Sequence, residues 1–192
     1  MVHLGDKGCQ IADYNTSYWQ QHFLMFRSYI TDTANVGSIE VISGGSFRHP
    51  LERRTSITSG WGNRKGGFHY GTDLAPLGYT GNHKAMETKV YAVADGKIID
   101  MGLSDTMGNY VILATANKAG KPHVITYMHF RQHAPGISKG MQVKAGTFIG
   151  YMGTTGDSTG VHLHIEVNPG TSRDRGNRVN PVPWFQQQGV QL

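Results

Sequence analysis

Glycines divide most of this chain into short segments, and their spacing limits what it can fold into. Of the 192 residues, 26 are glycine, and a glycine inside a helix costs about 1 kcal/mol relative to alanine. Turns, by contrast, use the positive φ that glycine adopts easily. The segments between glycines are short and rich in apolar and β-branched residues, as in Asn109–Ala114 and His123–Phe130, and Val161–Val167 also alternates apolar and polar side chains. Several short strand segments with frequent glycine turns predict a mainly β protein, either a sandwich or an open barrel.

Two regions carry more specific signals. Lys89–Asp100 alternates and contains Asp95–Gly96, a dipeptide typical of tight hairpins, so a hairpin is predicted there. The end of the chain contains Pro181 and Pro183. We predict an irregular wrap for this end, which stops near Trp184-Phe185.

The first part of the chain differs from the rest. Apolar side chains recur at helical spacing between Asn15 and Ile30, which predicts a short helix. A glycine-containing connection with one strand at Ile39–Ile42 is expected to follow. The predicted organisation has three parts: an N-terminal extension at 1–46, a main domain at 47–185 and a C-terminal tail at 186–192.

The formal net charge of +5 suits a polyanionic partner such as nucleic acid, an anionic membrane or a cell-wall polymer. The basic residues are scattered and do not alternate with aromatic ones, so no nucleic-acid interface is predicted. No stretch approaches the roughly 20 apolar residues of a membrane span. Met1–Asp13 lacks the cationic start and apolar core of a signal peptide. We therefore expect a mature form, a piece of a longer polypeptide, or a protein delivered in a virus particle.

The single cysteine, Cys9, excludes a disulfide within the chain and a cysteine-based metal site. Histidines offer the alternative. Side chains alternate between the two faces of a strand, so His162, His164 and Glu166 share one face of Val161–Val167. Neutral imidazole is a common metal ligand. The HxH pattern alone fits equally well with polar residues on a half-exposed strand.

His69 and Asp73 add two candidate ligands. Positions i and i+4 of an extended segment face the same way, so this pair offers one nitrogen and one oxygen. With His164 they form a set of two histidines and one carboxylate, which leaves a coordination position open as in catalytic zinc sites. His129 and His162 fit the role of proton handlers beside a zinc-bound water, whose pKa falls to about 7.

At these residues the chain resembles the lysostaphin-type, or M23, metallopeptidases, also called LytM-like peptidases. The family pattern is an HxxxD motif, a strand that ends in a catalytic histidine, and an HxH motif. Here these are His69–Asp73, His129 and His162–His164. Ser59–Arg64 resembles the entry motif of the family, and Gly153–Gly160 resembles its glycine–threonine loop. The resemblance covers the predicted main domain, and it is specific because these motifs occur together.

The resemblance implies a zinc endopeptidase that hydrolyses the peptide cross-links of bacterial peptidoglycan, extracellular at the cell wall. The missing signal peptide and the predicted N-terminal helix favour a phage tail or lysis protein, or a fragment of one. It implies a two-sheet, mostly antiparallel fold of the barrel-sandwich hybrid type, with the site in a groove. One Zn²⁺ per chain would bind His69, Asp73 and His164, while His129 and His162 would act as acid/base and transition-state residues. Anionic cell-wall polymers are a further expected partner.

One departure and two alternatives accompany this prediction. Some family members have a tyrosine six residues before the first ligand, where this chain has Asn63. That oxyanion role is then vacant or filled by Tyr70 or another side chain, and Asn63 and Arg64 are further candidates for the groove. The first alternative is a catalytically silent wall-binding or regulatory module with the same fold. The second is a carrier domain modified at Lys97, which leaves the five candidate site residues unexplained.

Overall fold

The structure, a computed structural model, describes residues 2–5, 8–11, 46–52, 54–78 and 83–192. The chain divides into two compact units, Met1–Glu40 and Val41–Leu192. In the first unit, strands β1 (Val2–Gly5) and β2 (Gly8–Ile11) form an antiparallel pair. The predicted helix between Asn15 and Ile30 and the predicted strand at Ile39–Ile42 lie outside the described residues.

A large antiparallel sheet is the main element of the second unit. Its seven strands are β3 (Thr55–Ser59), β6 (Thr72–Pro76), β8 (Gly96–Ser104), β9 (Gly108–Ala116), β10 (Pro122–Phe130), β12 (Gln142–Val143) and β14 (Leu163–Pro169). They lie in the order β12-β8-β9-β10-β14-β6-β3, and every neighbouring pair is antiparallel. The prediction of a mainly β, antiparallel fold is confirmed.

Smaller elements complete this unit. A three-stranded antiparallel sheet consists of β7 (Lys89–Tyr91), β11 (Gln132–His133) and β13 (Phe148–Tyr151), and a two-stranded sheet consists of β4 (Gly62–Arg64) and β5 (Gly67–His69). Among the described residues of this unit, the helices are the 3-10 turns His83–Glu87 and Arg175–Asn177 and the α-helix α1 (Pro181–Gln187). None of the helices in the described part of the chain is long and apolar enough to cross a lipid bilayer.

One hydrophobic core joins the two larger sheets. Leu163, Ile165 and Val167 of β14 are completely buried in it, together with Ile149 of β13 and Phe185 of α1. The alternation predicted for the segment Val161–Val167 is therefore confirmed on its apolar face. The opposite face of the same strand is left to polar side chains, and this face carries the candidate site.

The hairpin predicted at Asp95–Gly96 is wrong. β7 pairs with β13, whereas β8 pairs with β9 and β12, so the two segments enter different sheets. Asp95 instead accepts hydrogen bonds from Lys144 Nζ at 2.9 Å and from the Ala145 backbone at 2.8 Å. Gly96 is needed for close approach, because a Cβ there would collide with the carbonyl oxygen of Ala114. The dipeptide therefore connects two sheets instead of reversing one strand.

The irregular C-terminal wrap predicted around Pro181 is also wrong, since α1 forms there. The side chain of Asn180 caps the helix by accepting a hydrogen bond from the Val182 backbone at 3.1 Å. The first four N–H groups of a helix have no partner within it, so proline is tolerated in the first turn. Trp184 and Phe185 then face the core. The two prolines start a helix instead of preventing one.

Tyr127 of β10 provides a test of this core. Its side chain is fully buried, and its hydroxyl oxygen accepts a hydrogen bond from the Val93 N–H at 3.0 Å. Tyr127→Phe leaves that buried donor without a partner, so we expect the free energy of unfolding to fall by about 1–3 kcal/mol in urea denaturation. Tyr151→Phe, at a half-buried position, is the control and should change it by about 0.5 kcal/mol or less. Equal effects of the two variants would contradict this role of the buried hydroxyl.

Candidate metal centre

Three buried side chains direct one ligand atom each at a common point. His69 Nε2 lies 3.1 Å from His164 Nδ1 and 3.2 Å from Asp73 Oδ1. The third separation, from His164 Nδ1 to Asp73 Oδ1, is 2.8 Å. The three residues are the group among the described residues whose ligand atoms are close enough to hold a metal ion. The structure thus brings together the three side chains that the sequence pattern predicts as ligands.

Strand pairing places two of these candidate ligands. His164 of β14 is directly opposite Asp73 of β6 in the antiparallel register, and cross-strand partners project from the same face of a sheet. His69 comes from the end of β5 in a different sheet. The segment from His69 to Asp73 is therefore not one extended strand, as the spacing argument assumed. It is interrupted at Tyr70 and Gly71, and the convergence results from packing between two sheets.

His129 and His162 lie beside the three ligands. Their ring centroids are 4.9 Å apart, and the ring of His129 is 5.9 Å from that of His164. His162 Nε2 is 3.5 Å from Asp73 Oδ1. The Nδ1 atoms of the two rings lie 2.8 Å from the carbonyl oxygens of Thr155 and Gly160 respectively. Each Nδ1 therefore donates its hydrogen to the backbone, which leaves Nε2 of each ring free to accept a proton.

An irregularity in β10 determines where the His129 ring points. Regular alternation would put His129 on the same face as the core residue Tyr127. The register of β10 against β9 instead shifts between Tyr127 and Phe130, and His129 has a φ of 65°. This left-handed conformation is rare for residues other than glycine and costs of order 1–3 kcal/mol. The bulge turns the imidazole out of the core and towards the ligands.

A backbone carbonyl also determines the tautomer of His69, one of the three candidate ligands. His69 Nδ1 lies 2.7 Å from the carbonyl oxygen of Gly60, so it is the donor in that hydrogen bond. The lone pair of Nε2 is then free and faces Asp73 and His164. A ligand histidine whose other nitrogen is held in this way has a defined tautomer and orientation.

The site offers one anionic carboxylate and two neutral imidazoles beside it at neutral pH. Burial disfavours the charged form of Asp73, but the adjacent imidazoles of His164 and His69 outweigh that effect and lower the pKa of this carboxyl group. Burial lowers the pKa of His129 to about 4, and it also lowers the pKa of His162. Asp73 is therefore an anion at pH 7, while both neighbouring histidines are neutral and can act as bases.

The geometry and chemistry of the donors fit a zinc ion. Ligand atoms about 2.0–2.1 Å from a tetrahedral zinc lie about 3.3 Å from each other. The separations here, 2.8–3.2 Å, are close to that value without any rearrangement of the strands. Two imidazole nitrogens and one carboxylate oxygen also form a donor set of catalytic zinc sites, in which the fourth position stays open.

Comparison with known proteins agrees with this site. The model of a family described as Peptidase family M23 matches residues 67–181, which include all five candidate residues. This chain belongs to peptidase family M23.

Relatives and solved structures extend the comparison. Glycyl-glycine endopeptidase ALE-1 of Staphylococcus capitis is 34% identical to this M23 chain over 134 residues, which is 66% of the chain and 35% of that protein. Peptidoglycan DD-endopeptidase ShyA of Vibrio cholerae is 30% identical over 128 residues, 62% of the chain and 26% of that protein. The catalytic domain of the antimicrobial peptidase lysostaphin from Staphylococcus simulans superposes with a TM-score of 0.56 and 31% identity, covering 69% of this chain and 92% of that domain. The chain spans about a third or less of the length of the two curated relatives.

The three predicted groove residues of this M23 chain lie in different surroundings. Arg64 Nη1 is 3.8 Å from Asp73 Oδ2, so its exposed guanidinium borders the ligand cluster. Tyr70 is 45% exposed, and its ring packs against Trp61 and Phe68. Asn63 is exposed on β4, and its side chain makes no hydrogen bond to the three ligands within the described part of the chain. Arg64 and Tyr70 therefore remain the better candidates for contact with a substrate.

Two residues that support the site were not predicted from the sequence. A Cβ on Gly71 would collide with the ring of His164 and lie 2.7 Å from the carbonyl oxygen of Ile165. Thr155 orients His129 through its carbonyl oxygen, and its hydroxyl donates to the carbonyl of Phe130 at 2.7 Å. Both residues belong to motifs quoted above, but a spacing argument assigns no role to a backbone atom or to a missing side chain.

Gly71 provides a test of how closely the site is packed. Gly71→Ala forces the His164 ring away from the other two ligand atoms, so we expect the Zn²⁺ affinity to fall about tenfold or more in a titration against a competing chelator. Gly102→Ala is a matched control, because a Cβ there would meet its nearest neighbour at an ordinary 3.5 Å. The packing argument is wrong if both variants bind Zn²⁺ as tightly as the unchanged protein.

Proposed function

We propose that this chain is a zinc endopeptidase that hydrolyses peptide cross-links of bacterial peptidoglycan. The observation that carries the proposal is the meeting of two imidazole nitrogens and one carboxylate oxygen within 3.2 Å of each other, with two further imidazoles beside them. Membership of peptidase family M23 supports peptide hydrolysis. The names of the relatives, a glycyl-glycine endopeptidase and a peptidoglycan DD-endopeptidase, support the substrate.

One zinc ion per chain would be held by His69 Nε2, Asp73 Oδ1 and His164 Nδ1. When bound, the ion polarises the carbonyl of the scissile bond and lowers the pKa of a bound water to about 7. These donors are in the form that binds a metal ion. Asp73 is ionised at neutral pH, and the hydrogen bond from His69 Nδ1 to the Gly60 carbonyl directs the free Nε2 into the site. The side chains that surround the ligands then handle the protons.

His129 and His162 would take the proton from the attacking water and deliver it to the leaving amine. Each ring is anchored by a hydrogen bond from Nδ1 to a backbone carbonyl, so its Nε2 is the atom that accepts a proton. The lowered pKa of both groups keeps them neutral and ready to act as a base at pH 7. After protonation either ring can stabilise a neighbouring oxyanion. Either histidine can serve as the base while the other serves as the acid.

The exposed surface near His69 would receive the substrate. Trp61 and Phe68 have ring centroids 5.2 Å apart, and Phe68 and Tyr70 have centroids 4.7 Å apart. Flexible peptides with small residues offer few side chains to hold, so backbone contacts with such rings and with Arg64 would position them.

The net charge of +5 is compatible with adhesion to anionic wall polymers. The place of action would be the cell wall, and delivery in a phage particle stays a prediction.

Substitutions at two histidines separate metal binding from proton transfer. His164→Ala removes a ligand, so both stoichiometric Zn²⁺ and turnover of a cross-linked peptide should be lost. His129→Asn should leave Zn²⁺ bound and lower kcat about 10²- to 10⁴-fold, since asparagine tolerates a positive φ but cannot accept the proton. The control is His133→Asn, at a half-buried position on β11, which should retain both properties. Full activity of His129→Asn would contradict the assignment.

Mass spectrometry of fragments released from purified cell walls tests the reaction itself. Walls with glycine bridges and walls with direct D-Ala-to-diamino-acid links are incubated with the protein, with and without a chelator. We expect fragments with a new amino and a new carboxyl terminus, intact glycan, and no release in the chelator. The catalytically silent module makes the opposite prediction, namely that the protein binds the walls and releases nothing. The masses identify which bond is cut.

A further inference from the structure

A buried carboxylate lies behind one of the metal ligands and has no part in the chemistry above. Glu166 belongs to β14 and faces the same side as His162 and His164, because alternate residues of a strand share a face. It is only 3% exposed. A carboxylate so far removed from water loses its hydration and needs compensation from partners.

The partners of Glu166 are the ligand histidine and two arginines. Its Oε1 lies 3.5 Å from His164 Nε2, the ring nitrogen that does not face the other ligands. Its Oε2 accepts a hydrogen bond from Arg173 Nε at 2.9 Å and forms an ion pair with Arg178 Nε at 3.1 Å. One oxygen is thus left for the histidine while the other is held by two cations.

The segment that follows β14 brings these arginines into place. The Val179 backbone N–H donates to the carbonyl of Val167 at 3.0 Å, which holds the returning chain against the strand. Arg178 also lies over the ring of Tyr70, with its guanidinium carbon 5.2 Å from the centroid. A continuous set of contacts therefore leads from His164 through Glu166 and Arg178 to the exposed aromatic ring next to His69.

Such an arrangement is poorly explained by stability alone. A buried ion pair contributes little to folding, because desolvation of its charges offsets their attraction, and well-packed apolar residues often serve as well. A carboxylate that receives the second N–H of a metal-binding histidine has a distinct effect. It holds the orientation of the ring and keeps the proton away from the ligand nitrogen. In this chain, Nδ1 of His164 is the ligand atom and Nε2 is the atom that faces Glu166.

We propose that Glu166 is a positioning residue for the metal centre. Held by Arg173 and Arg178, it orients His164 so that Nδ1 presents its lone pair beside His69 and Asp73. This inference rests on the proposed zinc site and adds to it a determinant of metal affinity outside the ligands.

Zn²⁺ titration of three variants of the full chain against a chromophoric chelator tests the proposal. Glu166→Gln removes the charge at nearly constant shape, and Glu166→Asp keeps the charge near the arginines but withdraws it from His164. Both should weaken Zn²⁺ binding about 10- to 100-fold. Asp100→Asn is the control, because Asp100 lies on β8 and its carboxylate contacts Lys139 and Tyr110 instead of the candidate ligands. This variant should bind Zn²⁺ like the unchanged protein. Thermal melting of each metal-free variant measures the effect on the fold separately.

The outcomes separate this inference from the proposed function. If the unchanged protein does not bind Zn²⁺, the proposed function fails and the inference fails with it. If the unchanged protein binds Zn²⁺ and both Glu166 variants bind it equally well, Glu166 is not a positioning residue, even if the metal-free melting temperature falls. Should Glu166→Gln fail to fold, Glu166→Asp decides: weaker binding by a folded protein supports the proposal, and unchanged binding overturns it.

Discussion

The antiparallel pairing of β6 with β14 is the constraint on which the candidate centre depends. It sets His164 opposite Asp73, with 2.8 Å between Nδ1 and Oδ1. A buried carboxylate without partners would be costly, but the adjacent imidazoles of His164 and His69 offset that cost and lower the pKa of Asp73. A shift of this register by one residue would turn the side chains of β14 to the opposite face and bury its histidines among the aliphatic residues. One strand register therefore determines both which side chains of β14 enter the core and which form its polar face.

Backbone atoms, more than side chains, orient the imidazoles around this pair. The carbonyl oxygens of Gly60, Thr155 and Gly160 hold the Nδ1 atoms of His69, His129 and His162 respectively. These carbonyls belong to two loops, Gly60 between β3 and β4 and the other two between β13 and β14, so the conformations of the loops determine which nitrogen of each ring is free. The left-handed conformation of His129 belongs to the same system, since the bulge in β10 is what brings this ring beside His162. Strain of this kind persists where the surrounding structure holds it in place.

The surroundings of the centre differ on its two sides. Behind it, Glu166 and the two arginines form a buried charged network. In front of it, the β4–β5 sheet and the residues beside it present exposed aromatic rings and Arg64. The candidate ligand His69 ends β5, so the candidate metal centre and this exposed surface share one strand pair. Arg178 contacts both sides, through its ion pair with Glu166 and through the ring of Tyr70. It therefore connects the carboxylate behind His164 to the surface that would meet substrate.

The sequence by itself determined the β architecture, the apolar and polar faces of β14, the family and the identities of the five histidine and aspartate candidates. Those inferences depend on local alternation and on motif spacing, which a strand imposes whatever it packs against. The tertiary structure decided that His69 and Asp73 lie in different sheets, that β7 and β8 do not form a hairpin, that Pro181 begins a helix, and that Glu166 stands behind His164. Each of these depends on contacts between distant parts of the chain. His69 and His164 are 95 residues apart, and no local pattern records how two such residues meet.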